Sequence, residues 1–547
     1  MPTAPDIALE RIIRELSDSS AYPHAVEEIR VVQTHVSCVF LTGALVYKVK
    51  KPVQFDFLDY RERDHRRELC LKEVALNRRL CPDVYLDVVP IVDPDGRLRM
   101  NMPGDPVEWA VRMRQLRAED MLPARIAARK IDQDDIRTIA GAIARFHLNA
   151  ATGPAIRAFG DESVIAANVA GALREGGPVN RDACRDHDAP DIVAFPDEMR
   201  TVISAYLERF MAEHADRFSE RAREDRIRDC HGDLRAQNIC RDPRYEDGVQ
   251  IFDCIEFNDQ FRYIDTASDL AYLAMDLDLA GRPELRQALI DGYQQQAQDP
   301  GLLEMLRFYQ CFRAVVRGQI ARLAAAEAEI PPPDRDAHRN MAAGAYDLAC
   351  SYAAGPAVPT LMIMVGFSGS GKSALAQELC RRLPAVLLSS DDMRRELAGA
   401  DGFRALGSDH YTAAARAAVY RELRRRGDGW LRQGLNVLLD ATFLAVGERD
   451  AAAKLAQDAG AGFWVVEIAC PDPEIRRRLR QRAAAGSVSD ADVRVYEEQL
   501  KSFDPVRISA GAPIQHIIIK ESSDPMAAAR TVIRRFTGIS SQAADLI

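Results

Sequence analysis

Eight residues constrain this chain more than any others: Gly366-Phe367-Ser368-Gly369-Ser370-Gly371-Lys372-Ser373, a complete GxxxxGK[ST] sequence. It sits between an apolar run, Leu361–Val365, and the helix-forming Ala374-Leu375-Ala376-Gln377-Glu378-Leu379. A strand that feeds such a loop into a helix turns successive backbone N–H groups, and the positive end of the helix, toward one point. The predicted structure is therefore a phosphate cradle. Gly366, Ser368, Gly369, Ser370 and Gly371 curl around nucleotide phosphates, Lys372 reaches the outer ones, and Ser373 ligates Mg2+.

The surrounding text fits that loop. Short apolar strands at Leu361–Val365, Ala385–Leu388, Asn436–Leu439 and Phe463–Ile468 alternate with helical patterns, which predicts an α/β unit with a parallel sheet. Ligands of such sheets bind beyond the carboxyl ends of the strands, where Ser389-Ser390-Asp391-Asp392-Met393-Arg394 and Asp440-Ala441-Thr442 fall. Asp391 has the chemistry to orient or deprotonate an acceptor hydroxyl, and Asp440 to hold a metal through water. Helix N-caps are the competing reading for Asp391 and Asp392. Arg477, Arg478 and Arg482 lie on a predicted helix from Asp472, followed by Gly486 and Ser489-Asp490-Ala491. A cationic helix running into a flexible stretch suits a lid over transferring phosphates, with a solvated basic face as the alternative.

From about residue 358 to 540 the chain resembles the small P-loop kinases of the gluconate kinase, polynucleotide kinase and zeta-toxin type. The loop, the Asp391-x-x-Arg394 pair, Asp440-Ala441-Thr442-Phe443 with Arg449, and the arginine helix carry the resemblance. It implies transfer of the ATP γ-phosphate to a hydroxyl, with Asp391 as base and Arg478 and Arg482 on the nucleotide. It gives a reaction type and no particular acceptor.

The first 350 residues read differently. Val31–Val53 is a β-branched stretch broken at Gly43, a predicted hairpin. A charged helix is predicted from Tyr60 to Leu80, strands at Val84–Val92 and Glu108–Leu116, and an amphipathic helix at Asp132–Ala150. Residues 150–190 read as a loop-heavy insertion, Asp229–Phe257 as strand–loop–strand, and 265–350 as long helices. Within this frame stands His231-Gly232-Asp233-Leu234, with Asn238 five residues after Asp233 and Asp253 closing the run Val249-Gln250-Ile251-Phe252. Phosphoryl transfer asks for an aspartate to accept a hydroxyl proton and for ligands to Mg2+. Asp233, Asn238 and Asp253 have those types in that order. Upstream, Val46-Tyr47-Lys48-Val49-Lys50-Lys51-Pro52 offers a strand lysine for phosphates, and Glu73 on the next helix its ion-pair partner.

This arrangement resembles the aminoglycoside phosphotransferase and choline kinase family, a branch of the protein-kinase-like α+β fold, over about residues 30–345. Asp265…Asp269-Leu270-Ala271 adds to it. The resemblance implies Asp233 as catalytic base, Asn238 and Asp253 as metal ligands, and Glu108–Leu116 as the adenine hinge. Spacing to Pro52 favours Lys50 as the ATP lysine; Lys48 faces the same side of the strand and stays open. A GxGxxG over the phosphates is absent, Thr42-Gly43 standing in that place, and Asp253 is followed by Cys254-Ile255.

The expected layout is a kinase-like domain at 1–350, a linker at 351–359 and a P-loop kinase domain at 360–547, together using ATP and Mg2+ on small-molecule hydroxyls. At 547 residues the length requires more than one core. The net charge of −10, with no long basic run, argues against nucleic-acid or membrane-surface partners. Eleven scattered cysteines without CxxC spacing, no signal-peptide pattern and no long apolar run predict a reduced, cytoplasmic chain. Two alternatives accompany a bifunctional enzyme: a P-loop kinase regulated by a non-catalytic N-terminal module, or a polynucleotide or nucleotide-sugar kinase. The densest basic cluster, Arg421 with Arg424-Arg425-Arg426, lacks the aromatic ladder that single strands ask for. Oligomeric state leaves no mark on the sequence.

Overall fold

A computed structural model describes the chain except residues 1–7, 35, 56–57, 175–194, 246–247, 328–329, 357, 400–409, 411, 485–492, 508–513, 521–523 and 539–547. It separates into two compact units. The first comprises Met1–Ala194, Leu207–Asp276 and Leu285–Ala342; the second comprises Phe195–Tyr206, Leu277–Glu284 and Ala343–Ile547.

The first unit opens with a six-stranded antiparallel sheet in the order Arg30–Gln33, Ser37–Leu41, Leu45–Lys50, Pro106–Arg114, Tyr85–Val92, Arg99–Met100. The predicted hairpin is its centre: Phe40 pairs with Tyr47 and Val39 with Lys48, and Gly43 turns the chain at φ +94°, a value glycine reaches without strain. Alternation then decides what each face carries. Tyr47 and Val49 join Phe40, Val89, Ile91 and Ala110 in one core. Val46 points to the other face, with Val111, Met113, and Cys70 and Val74 of helix Arg63–Asn77. Lys48 and Lys50 share the parity of Val46 and so lie on the helix side.

Beyond the sheet come helix Gln133–Asn149, capped by the Asp132 carboxylate, and the small antiparallel pairs Ile239–Arg241 with Val249–Ile251 and Ile227–Asp229 with Tyr263–Asp265. Helices Thr266–Leu279 and Leu302–Ala326 follow, the second with fifteen buried residues. The stretch expected to be loop-heavy is a helix over Glu162–Leu173, capped by Asp161, and its remainder from 175 lies outside the described residues. Its alanines and small polar residues give no clear apolar stripe, so the periodicity that marks a surface helix is missing.

The second unit is a five-stranded, wholly parallel sheet in the order Ala385–Ser389, Asn436–Asp440, Thr360–Val365, Gly462–Ile468, Ile514–Ile519. Every residue of the central strand Thr360–Val365 is buried, because helices cover both faces. Leu361, Ile363 and Val365 pack on one side with Leu423, Val437 and Leu439; Met362 and Met364 pack on the other with Leu375, Leu379 and Ile533. The edge strand Ile514–Ile519 is absent from the sequence expectation. Helix Pro332–Ala354 carries regular structure into the first residues that read as linker. Among the described residues no helix is long and apolar enough to cross a membrane.

Candidate active site

Two groups of side chains, one in each unit, carry the chemistry anticipated above. In the C-terminal unit strand Thr360–Val365 ends at Gly366, and helix Lys372–Arg382 starts directly after the loop. Gly369 and Gly371 have φ of +82° and +99°, the left-handed conformations that let the chain curl there. A Cβ on Gly369 would lie 3.0 Å from Leu479 Cγ, so a side chain there would have to displace Leu479 as well as adopt a strained backbone angle. Lys372 is buried, and its Nζ donates to the Phe367 carbonyl at 2.6 Å, which folds the amine back over the loop. Gln499 braces the loop from outside: its Oε1 accepts from the Ser368 N–H and its Nε2 donates to Ser368 Oγ, both at 2.9 Å. The motif gave no hint of Gln499, which lies 131 positions away.

Asp440 ends its strand beside this loop. Burial raises its pKa, opposed by the Lys372 ammonium and by a hydrogen bond from the Ser373 hydroxyl, and reinforced by Asp391 and Asp392. The hydroxyl of Ser373 and this carboxylate form an oxygen pair of the kind Mg2+ takes, so the donor set fits that ion. Asp391 lies in the first turn of helix Ser390–Leu397, whose cap is Ser389; neither Asp391 nor Asp392 is the cap residue. Asp391 accepts from Arg394 at 2.7 Å, joining the two ends of the Asp-x-x-Arg pair. Arg449 is buried and donates to the carbonyls of Phe443, Leu444, Asp504 and Pro505, which makes it a strut. That strut holds Phe443 at φ +46°, three residues after Asp440, a strained angle for a bulky side chain. Arg478 donates to the Ser370 carbonyl at 3.2 Å and pairs with Glu474, while Arg477 is exposed and pairs with the same glutamate. The side chain of Arg482, Gly486 and Ser489–Ala491 lie outside the described residues. The basic run Arg424-Arg425-Arg426 is matched by Glu448, Glu422 and Glu396, which cancels its field locally.

In the N-terminal unit the loop at His231 is held by one buried carboxylate. Asp269 Oδ2 accepts from the His231 N–H at 2.9 Å, Oδ1 accepts from the Gly232 N–H at 3.0 Å, and His147 Nε2 lies 3.1 Å away. Burial works against this charge, yet the His147 hydrogen bond and the backbone donors bring its pKa down to about 2. Gly232 turns at φ +83° with the Phe261 carbonyl where a Cβ would stand, presenting Asp233 beyond it. Asp233 accepts from Asn238 Nδ2 at 3.0 Å and from Arg235 at 2.6 Å. Asn238 spends its amide nitrogen on Asp233, which leaves its carbonyl oxygen as the atom that would meet a cation, and Asp253 adds a carboxylate paired with Lys48. These groups also fit Mg2+. Asp253 has φ +65°, a second strained residue at a site.

The two strand lysines separate clearly. Both reach Glu73, which is fully buried: Lys48 at 2.9 Å and Lys50 at 2.6 Å. Lys50 is 2% exposed and is walled in further by Glu256 and by the Tyr60 hydroxyl at 3.3 Å. Lys48 instead donates to Asp253 at 2.6 Å. Burial opposes the charge on Lys48, but Asp253 and Glu73 hold its pKa well above the ordinary value. Asp253 likewise overcomes its burial through Lys48 and stands at about 2. Tyr60, Glu256 and Arg235 were missed by sequence reasoning. Arg235, two residues after Asp233, and Glu256, three after Asp253, lay close enough to a motif to be suspected.

Residues 60–306 match the family model described as phosphotransferase enzyme family, and residues 361–506 match one described as AAA domain. Uncharacterized protein Rv2004c of Mycobacterium tuberculosis (strain ATCC 25618 / H37Rv) is 31% identical over 489 residues, covering 88% of this chain and 91% of that one. Mb2027c of Mycobacterium bovis matches to the same extent. Among solved structures, the Mycobacterium tuberculosis APS kinase in complex with AMPPNP and APS is 25% identical, covering 32% of this chain and 97% of that one, with a TM-score of 0.24. A choline/ethanolamine kinase family protein from Mesorhizobium loti is 14% identical, covering 59% and 87%, with a TM-score of 0.35.

Proposed function

We propose that this chain, which belongs to one family with the mycobacterial proteins Rv2004c and Mb2027c, joins two ATP sites that each phosphorylate a hydroxyl of a small molecule. The chain is an enzyme, an ATP-dependent kinase. In this proposal the two kinase domains span residues 1–350 and 360–547, joined at 351–359. One observation carries it: Asp233 with Asn238 on its carboxylate and Asp253 on Lys48 in one unit, beside an intact Lys372, Ser373 and Asp440 set in the other.

In each unit the acceptor oxygen attacks the γ-phosphorus, its proton passes to a carboxylate, the bond to the β–γ bridging oxygen breaks, and ADP leaves. Asp233 and Asp391 take the proton. Asn238 with Asp253, and Ser373 with Asp440, would hold Mg2+, which when bound neutralises charge on phosphate oxygens. Lys372 and Arg478 stabilise the transferring group. Lys48 replaces Lys50 as the phosphate-facing lysine of the N-terminal unit, because Lys50 is sealed beneath Glu73 and Glu256 while Lys48 stands beside Asp253. The reading extends to a cytoplasmic enzyme; the ten cysteines among the described residues stand outside any disulfide, nine of them buried, and support it.

The deciding experiment measures ATP turnover with Mg2+ across sugars, nucleosides and aminoglycosides. It compares the wild type with Lys372→Ala, Asp233→Asn and the double variant. Lys372→Ala is expected to lower one acceptor-dependent activity by about 10²-fold or more, since it removes a charge aimed at the transferring phosphoryl group. Asp233→Asn is expected to remove a different one. If Asp233→Asn changes no activity and Lys372→Ala removes all turnover, the N-terminal unit binds without catalysing. That second reading has one observation in its favour, the Arg235 guanidinium seated on the Asp233 carboxylate.

The lysine assignment has its own test. Lys48→Ala is expected to cut kcat/KM for ATP in the N-terminal unit by about 10²-fold in protein that is still folded at the assay temperature, because Glu73 keeps Lys50. Lys50→Ala is expected to act through folding, lowering the unfolding midpoint because two buried carboxylates lose a counter-charge. Reversal of the two phenotypes would return the role to Lys50.

A further inference from the structure

Two helices of the N-terminal unit each place a pair of polar residues one turn apart. Helix Thr266–Leu279 carries Tyr272 and Asp276; helix Leu302–Ala326 carries Arg313 and Arg317. Both pairs stand close to the Asp233 loop. Arg235 Cζ lies 5.9 Å from the Tyr272 ring centre and Arg313 Cζ 5.0 Å from it, and the Ala236 N–H donates to Asp276 at 3.0 Å. The Gln237 amide, in the orientation that satisfies its neighbours, accepts from Arg235 at 3.0 Å.

Two independent features of this group are unexplained by the roles given so far. First, charge does not balance. Arg235 is taken up by Asp233 at 2.6 Å, and Arg317 Nε is 3.8 Å from Asp276. Arg313, which is buried, forms no ion pair among the described residues and donates only to the Ser268 carbonyl at 3.2 Å. Arg235 thus has Asp233 and, beyond it, the field of Asp253, and Arg317 has Asp276, but Arg313 has no carboxylate of its own among the described residues. Second, Tyr272 is 1% exposed and ringed by charge, yet its buried hydroxyl has no hydrogen-bond partner; Nε of Arg235 and of Arg317 also lack one. Buried donors without acceptors are unfavourable and uncommon, and here they converge on one place. What they lack in common is an anionic acceptor of hydrogen bonds.

We propose that the hydroxyl acceptor of the N-terminal unit carries an oxyanion group, a phosphate or a carboxylate, held by Arg313, Arg317 and the Tyr272 hydroxyl beside Asp233. This rests on the reading of Asp233 as base and names the substrate class for that site. Planar guanidinium groups suit both oxyanions, since two parallel N–H donors match two oxygens. A cationic acceptor such as an aminoglycoside or choline would meet like charge here. The bound anion would also draw Arg235 partly away from Asp233, freeing the base when the right acceptor is present.

The test uses the full chain carrying Lys372→Ala, so that the P-loop site is silent. Inorganic phosphate is titrated by calorimetry at constant ionic strength into this protein and into versions that add Arg313→Gln, Arg317→Gln or Tyr272→Phe. In parallel, ATP turnover is compared for matched acceptors: glycerol against glycerol phosphate, ribose against ribose 5-phosphate, glucose against gluconate. Phosphate is expected to bind, each arginine substitution to weaken it by about tenfold, and Tyr272→Phe by a smaller factor at unchanged stability. Anionic acceptors are expected to exceed their neutral partners by about tenfold or more in kcat/KM, the difference residing in KM. The phosphate pairs and the gluconate pair tell the two oxyanions apart. No phosphate binding, or binding that ignores all three substitutions, would overturn the proposal, as would preference for the neutral members. Arginine-dependent phosphate binding without any turnover that needs Asp233 would uphold the anion site and sink the catalytic reading instead.

Discussion

Asp233→Asn is expected to lower the acceptor-dependent turnover of the N-terminal unit by about 10²–10⁴-fold, the range for loss of a positioned general base. The substitution keeps the shape of the side chain and removes its proton affinity. It also turns an amide toward donors: Arg235 and the Asn238 amide both give hydrogen bonds to Asp233 Oδ2 in the structure, so the asparagine must present its oxygen to them. That orientation leaves an N–H, which cannot accept a proton, facing the acceptor. The loop itself is expected to stay in place, because Asp269 anchors the His231 and Gly232 N–H groups independently of residue 233. Steady-state kinetics therefore carry a specific signature: kcat falls, KM for ATP changes little, and the C-terminal activity in the same sample is unaffected. A kcat within about fivefold of wild type would mean that Asp233 is not the base, since that is far below the range for general-base catalysis.

The two folds were legible in the sequence because their motifs are local. The phosphate loop needs only eight consecutive residues between a strand and a helix, and the central strand Thr360–Val365 lies where its apolar run predicts. The hairpin at Gly43, the helix begun by Asp132 and the strand under Glu108–Leu116 were equally visible, since each rests on a period or a turn residue. What stayed hidden is what depends on long-range approach. Glu256 meets Lys50 across 206 positions, and Gln499 meets Ser368 across 131. No spacing rule reaches that far. The choice between Lys48 and Lys50 stayed open for a related reason. Residues two apart on a strand share a face, so periodicity cannot say which one lies under the sheet's cover and which one lies at its mouth. Only the position of Asp253, 205 residues from Lys48, separates them. The helix over Glu162–Leu173 was missed for want of an apolar stripe, and the last sheet strand at Ile514–Ile519 for want of any functional motif to draw attention to it.

The largest expected loss of stability comes from Glu73→Gln. Glu73 is fully buried, and it is the only described carboxylate paired with both Lys48 and Lys50. Burial opposes its charge, but the two ammonium groups hold its pKa below the ordinary value, so both partners and the carboxylate are ionised together. A glutamine is nearly the same size and leaves the packing of helix Arg63–Asn77 intact, but it removes the counter-charge. Lys50 keeps Glu256, whereas Lys48 keeps only Asp253, a residue the proposed mechanism also needs for metal. Removing one member of a buried ion network costs about 3–5 kcal/mol, because the charges left behind stay desolvated without compensation. Chemical denaturation of the full chain is expected to show this as a lower midpoint for the N-terminal unit's transition with the C-terminal one unmoved. The loss would be expected to shrink in Glu73→Gln with Lys50→Met, since the second change removes a stranded charge and fills its space with an apolar side chain. If Glu73→Gln instead unfolds at the wild-type midpoint, the network is held by Glu256 and Asp253 alone. The role of Glu73 would then be to aim Lys48 at phosphate, and turnover would fall while stability stayed constant.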